Sequence, residues 1–211
     1  MYPFPDPLPP LRLLSDAEKA ANRDALLQAN PTADGSVWVF GFGSLIWNPG
    51  FAYTEKRKAI LHGHTRTFSF WTMRSRGTSE APGLGLAIEA GDGVCEAIAF
   101  RLAEREIEDD LKRLWDREMA AGVYVPVWRQ VDTVAGEIPA LCFIANAEHT
   151  SYAGALPRER VVSVMARAAG SHGACRDYLA SLVAALPEHD LEDPDMIELL
   201  ALVDAERAQM T

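Results

Sequence analysis

From Val37 to Ala145 the chain reads almost entirely as strand, with one helix to interrupt it. Short runs of β-branched and aromatic residues lie at 37–41, 57–62, 66–72, 84–89, 94–102, 125–133 and 139–145, and glycine-rich punctuation separates them. The strands do not alternate with helices, so a doubly wound parallel sheet is disfavoured. The expectation is an α+β fold: a mixed or antiparallel, barrel-like sheet with helices around it.

The ends of the chain carry those helices. Residues 1–14 are proline-rich and read as an extended arm. Ser15 and Glu18 form a capping-box pattern, which predicts a helix to Ala29, and 30–35 is a loop. After the strands, a helix is predicted over 157–169, stopped by Gly170. A second over 173–186 has Ser171 as its cap, and a third opens at Asp193-Pro194 and runs to 208. The division that follows is an N-terminal arm and helix over 1–35 and one domain over 36–211, with nothing that demands more than a monomer.

Composition removes several function classes. The 211 residues are 48% hydrophobic, enough for a sizeable core, and the net charge is −10. Without a basic block, nucleic acid is not an expected partner. An anionic small molecule would need local donors, because the overall field opposes it. The three cysteines, Cys95, Cys142 and Cys175, are widely spaced and read as reduced, buried residues. The beginning Met1-Tyr2-Pro3-Phe4-Pro5 has no signal-peptide pattern, and no apolar run reaches the ~18 residues of a membrane span. A cytoplasmic protein is expected.

Two segments are candidates for chemistry. The first strand runs into Phe40-Gly41-Phe42-Gly43-Ser44-Leu45-Ile46-Trp47-Asn48-Pro49. Glycines at a strand end let backbone approach a ligand and leave N–H groups free for an anion. The alternative is a tight turn where the strand leaves the sheet. A dinucleotide fingerprint is ruled out, because Ile46 stands where the third glycine belongs and Asn48-Pro49 blocks the helix. Ser44 is not in a nucleophile-elbow pattern.

The second segment is the helix predicted over 104–120. At ~100° per residue, Ile107, Leu111, Leu114 and Trp115 share one stripe and Glu118 falls near its centre. An inward carboxylate at a helix C-terminus is disfavoured in its charged form by burial and by the dipole, which suits a general base. Burial beside an arginine is the competing reading. The loop Arg74–Gly83 carries Arg74 and Arg76, which either line a pocket and meet a substrate carboxylate or sit on a solvated turn. The five histidines show no metal-binding spacing.

Taken together, these segments resemble the ChaC-type γ-glutamylcyclotransferases. The resemblance rests on Val39 to Pro49, Arg76-Gly77-Thr78 with Pro82-Gly83, and Trp115-Asp116-Arg117-Glu118-Met119 with Gly122-Val123-Tyr124. It continues through Tyr152-Ala153-Gly154 and Cys175-Arg176-Asp177-Tyr178-Leu179, and covers about 36–205. It implies a mixed β-barrel that converts glutathione to 5-oxoproline and cysteinylglycine with neither metal nor cofactor. It also implies Glu118 as catalytic base and a substrate site at Gly41, Phe42, Gly43, Ser44 and Leu45, with Arg76, Tyr124 and Tyr152 as further pocket residues. The family usually has Tyr where this chain has Phe42. The resemblance leaves open other γ-glutamyl amines or dipeptides as substrates, and a non-catalytic γ-glutamyl-binding regulatory role.

Overall fold

The computed structural model describes residues 11–210. The proline-rich arm expected over 1–14 therefore lies mostly outside the described residues. The helix after it, α1 (Asp16–Gln28), has its capping box: the Ser15 hydroxyl accepts from the Glu18 N–H at 3.3 Å and the Glu18 carboxylate accepts from the Ser15 N–H at 2.9 Å.

Five strands close a barrel in the order β1-β3-β2-β4-β5, comprising β1 (Trp38–Gly41), β2 (Tyr53–Thr72), β3 (Gly83–Leu102), β4 (Tyr124–Thr133) and β5 (Gly136–Ala145). Neighbours are antiparallel except β1 and β5, which meet in parallel with Val39 opposite Leu141. Closure leaves no open sheet edge, which explains why a mixed sheet of so few strands stands without a covering layer on each edge.

Seven short strands were expected. The segments 57–62 and 66–72 are one strand, β2, and 84–89 and 94–102 are one strand, β3. The glycines between them are not loops. Gly63 takes φ +68° inside β2, and the register shifts between His62 and His64, opposite Gly91–Gly93 of β3. An irregularity of this kind bends a long strand without ending it, so its ends serve two sides of the barrel.

The helix expected at 104–120 begins as a 3₁₀ turn, Glu104–Glu106, and continues as α2 (Ile107–Glu118). On the far side lie α3 (Arg158–Arg167), α4 (Cys175–Ala185) and α5 (Pro194–Ala208). Asp193 caps α5, its carboxylate accepting from the Met196 N–H at 3.1 Å. Ser171 does not cap α4. The chain between α3 and α4 instead folds into a two-strand hairpin, β6 (Ala169–Gly170) and β7 (Gly173–Ala174), and Ser171 sits in its turn. Its N–H and hydroxyl both donate to the Arg74 carbonyl, at 2.9 and 3.0 Å. Local capping propensity lost there to a long-range pairing.

Phe40, Phe100, Phe143 and Trp115 are among the largest fully buried side chains, and each contributes about 1.5–3 kcal/mol by burial. A charge crosses this core. Arg66 is buried, donates through Nε to the Phe42 carbonyl at 2.7 Å, reaches the Glu96 carbonyl at 2.6 Å, and pairs with Asp193. A desolvated guanidinium needs all three partners. It thereby ties the β1 exit to the start of α5.

Candidate active site

Helix α2 presents Leu111, Leu114 and Trp115 to the core, as its spacing predicts. Trp115 is locked at both ends: its ring packs edge-on against Phe143 with centroids 5.5 Å apart, and its Nε1–H donates to Asn22 of α1 at 3.0 Å. That anchor fixes the last turn, and Glu118 closes the helix with its side chain 14% exposed. Burial pushes the Glu118 carboxyl above its ordinary range, and Arg117 partly offsets this with Nε 3.1 Å from its Oε1.

Arg117 also binds the turn. Its guanidinium donates to the Ser44 hydroxyl at 2.7 Å and to the Asn48 carbonyl at 2.6 Å. The end of α2 and the segment after β1 are therefore one unit, although 73 residues separate Ser44 from Arg117. The turn closes on itself as the Ile46 N–H donates to the Gly43 carbonyl and the Asn48 N–H to the Ser44 carbonyl, each at 2.9 Å. Among the described residues no carbonyl accepts from the N–H of Gly43 or Leu45.

Tyr178 of α4 completes the wall. A Cβ on Gly43 would stand 2.7 Å from its phenol oxygen, so glycine at 43 is what permits the approach. Burial raises the Tyr178 phenol pKa, and the nearby Glu118 charge adds to this; hydrogen bonding by the Ser44 side chain and backbone pulls the other way. Tyr124 has its hydroxyl committed, donating to the Leu86 carbonyl at 2.6 Å. Its phenol is raised well above the ordinary value, first by burial and then by Glu118.

These groups surround a cavity of about 740 Å³. Phe42, Gly43, Ser44, Leu45, Arg76, Glu118 and Tyr124 all line it. Gly41 and Tyr152 do not. Gly41 is a packing position in β1, where a side chain would meet Leu45 at 2.9 Å and Phe100 at 3.0 Å. Tyr152 donates instead to Glu89 at 3.1 Å and packs on Phe70, 5.7 Å between centroids. Phe42 is 5% exposed and meets the Tyr124 ring edge-on at 6.3 Å.

Other lining residues escaped the sequence-based candidate list. Tyr178 was visible only as one letter of a matching motif. Arg117 was read as the neighbour of the base, not as a brace. Trp47 is 36% exposed at the cavity, edge-on to Tyr178 at 5.6 Å. Leu11 and Leu13 reach the cavity from ahead of α1, where the Leu14 N–H donates to the Ala120 carbonyl at 2.9 Å. No local signal announces that contact.

Among the described residues, no cluster of three or more His, Cys, Asp or Glu is placed to hold a metal ion, and no helix is long and apolar enough to cross a membrane. All three cysteines are buried and unpaired. The Cys175 thiol is pushed up to about 11 by burial.

A closed mixed barrel, a glycine turn at the exit of its first strand and a buried carboxylate braced against that turn define an α+β protein with a cleft lined by both. The ChaC-like protein family profile matches residues 37–206, and the chain belongs to that family. It is 36% identical over 192 residues to the glutathione-specific gamma-glutamylcyclotransferase of Escherichia coli K12, covering 90% of this chain and 82% of the relative. It is 31% identical over 174 residues to glutathione-specific gamma-glutamylcyclotransferase 1 of Danio rerio, covering 79% and 88%. The crystal structure of a yeast γ-glutamyl cyclotransferase specific to glutathione shares the fold, with a TM-score of 0.73 at 21% identity over 82% of this chain and 98% of that one.

Proposed function

We propose that this protein is a glutathione-specific γ-glutamylcyclotransferase with Glu118 as its general acid and base. The observation that carries the reading is the Glu118 carboxylate, buried and raised in pKa, held by Arg117 against a turn that lines the same cavity. The names of the E. coli and zebrafish relatives support the substrate.

The reaction closes a ring within one molecule. The α-nitrogen of the γ-glutamyl group attacks its own γ-carbonyl carbon, a new C–N bond closes the five-membered ring of 5-oxoproline, and the amide bond to cysteinylglycine breaks. The enzyme has to fold the chain into a near-attack shape and move protons off the α-nitrogen. Glu118 takes a proton from the α-ammonium, which frees the amine lone pair to attack, and delivers it to the departing nitrogen as the amide bond breaks; the proton left on the ring nitrogen is then lost through the same carboxylate, a double role suited to a carboxyl with a raised pKa. The free N–H groups of Gly43 and Leu45 hold the γ-glutamyl end and the developing oxyanion. Residues 36–211 make up the catalytic domain, and Leu11 and Leu13 complete its cavity wall from the N-terminal arm.

Mass-spectrometric detection of 5-oxoproline and cysteinylglycine in equal amounts, from glutathione and purified protein, is the expected result. Glutathione recovered intact after prolonged incubation with folded protein overturns the reading.

A further inference from the structure

Among the described residues, two positive charges at the cavity have no anionic partner. The charged side chains of the α2 end are matched: Glu118 pairs with Arg117, and Asp116 pairs with Lys19 of α1. Arg74 and Arg76 line the same cavity, and among the described residues neither forms an ion pair. The acid of their own loop, Glu80, is bonded instead to the Ser79 hydroxyl at 3.1 Å. In a chain of net charge −10, a carboxylate-free pair of arginines is a local exception to the overall field.

The pair sits on a built platform. The carbonyls of Arg74, Ser75 and Arg76 are each taken up by the β6–β7 hairpin or the start of α4: from the Ser171 N–H at 2.9 Å, the His172 N–H at 2.8 Å and the Cys175 thiol at 3.1 Å. Glycines make this stacking possible, since a side chain at Gly170 would stand 2.6 Å from both the Arg74 carbonyl and the Gly77 nitrogen. Both arginines thus reach the cavity from a fixed backbone. Arg76 lies over the Tyr178 ring, 5.3 Å from its centroid, while the phenol oxygen of that ring abuts Gly43 of the turn. The cationic side of the cavity therefore starts one aromatic ring from where the γ-glutamyl group is proposed to sit.

We propose that Arg74 and Arg76 form a carboxylate subsite for the C-terminal end of the leaving group, so that the protein selects γ-glutamyl dipeptides ending in a free carboxylate. The inference rests on the γ-glutamylcyclotransferase reading above. Two residues span at most ~7 Å, and Arg76 lies within that reach of the Tyr178 ring centroid, at 5.3 Å. A planar guanidinium suits a carboxylate better than a lysine would. γ-Glutamyl amines, which lack that carboxylate, forfeit this contact.

The test compares glutathione with its glycine-amide, by calorimetric binding and by 5-oxoproline release, in the wild type, Arg74→Gln and Arg74→Lys. Arg74 is exposed, so its replacement leaves the core untouched. The wild type is expected to favour glutathione about tenfold, mainly through KM or Kd. Arg74→Gln is expected to lose at least a third of that preference on a logarithmic scale, and Arg74→Lys to keep part of what Gln loses. Equal handling of the two ligands by the wild type, or an undiminished preference in Arg74→Gln, overturns the subsite even if 5-oxoproline is made normally. Absence of 5-oxoproline from every ligand instead removes the reaction, and the binding preference still decides the subsite.

Discussion

The two ends of α2 each bury a carboxylate, and they make opposite use of it. Asp110, in the first turns, is completely buried; it accepts from the Ala52 N–H at 3.1 Å and from Arg113. Glu118, at the last turn, faces a cavity with Arg117 as its ion-pair partner, and its carboxyl is raised. The helix dipole favours a negative charge at the first position and opposes it at the second. Asp110 has backbone and guanidinium donors that satisfy it, so its charge is structural. Glu118 lines the cavity, where a ligand can meet its carboxyl. Burial by itself does not make a base; the carboxyl must also stand where a ligand can reach it.

The largest test of this contrast is removal of the Glu118 charge. Glu118→Gln should lower 5-oxoproline release by about 10²–10⁴-fold in a protein that still folds. Near-wild-type turnover would transfer the proton to another group. In the wild type, the acid limb of kcat/KM should fall above 4.5, the ordinary glutamate value, because burial raises the base.

Asp110→Ala should do the reverse. The expected loss is about 2–3 kcal/mol of stability, from one carboxylate that serves two donors. Tm should drop by roughly 5–10 °C while turnover per folded molecule stays close to normal. A variant that melts like the wild type would mean that Asp110 is no more than a solvated cap.

Stability against pH reports on the Glu118 carboxyl as well. For Glu118 the folded-state pKa is raised, so its protonated form stabilises the fold below the unfolded pKa, and that contribution is lost as pH rises through the folded value. Glu118→Gln should therefore gain stability relative to the wild type between pH 4 and pH 8. Parallel denaturation curves at the two pH values would show that Arg117 fully offsets the burial.

The smallest effect belongs to Phe42→Tyr. The Phe42 ring is packed edge-on against Tyr124, so a hydroxyl there should change kcat/KM less than about threefold. A tenfold gain would show that the hydroxyl reaches substrate, and that this chain gave up a contact its relatives keep.

Much of the fold was legible because its signals are local. The Ser15 and Glu18 cap, the Asp193-Pro194 start of α5 and the apolar stripe of α2 each need only neighbours within one or two turns. The barrel strands were found too, but β2 and β3 were each read as two. A glycine at an internal bulge and a glycine in a loop have the same letter, and only pairing distinguishes them. Ser171 failed as a cap for the same reason, since its donors were claimed by Arg74, 97 residues away.

The site divides along the same line. The sequence by itself determined that α2 turns Glu118 toward the core and that a glycine turn ends β1, because helical periodicity and glycine's freedom are properties of short segments. Only the tertiary structure decided that Arg117 joins the two, that Tyr178 stands against Gly43, and that Gly41 and Tyr152 lie outside the cavity. It alone placed two leucines from ahead of α1 on the cavity wall. Those outcomes depend on how a closed barrel brings distant segments together, and contact between residues a hundred positions apart leaves no periodic trace in one chain.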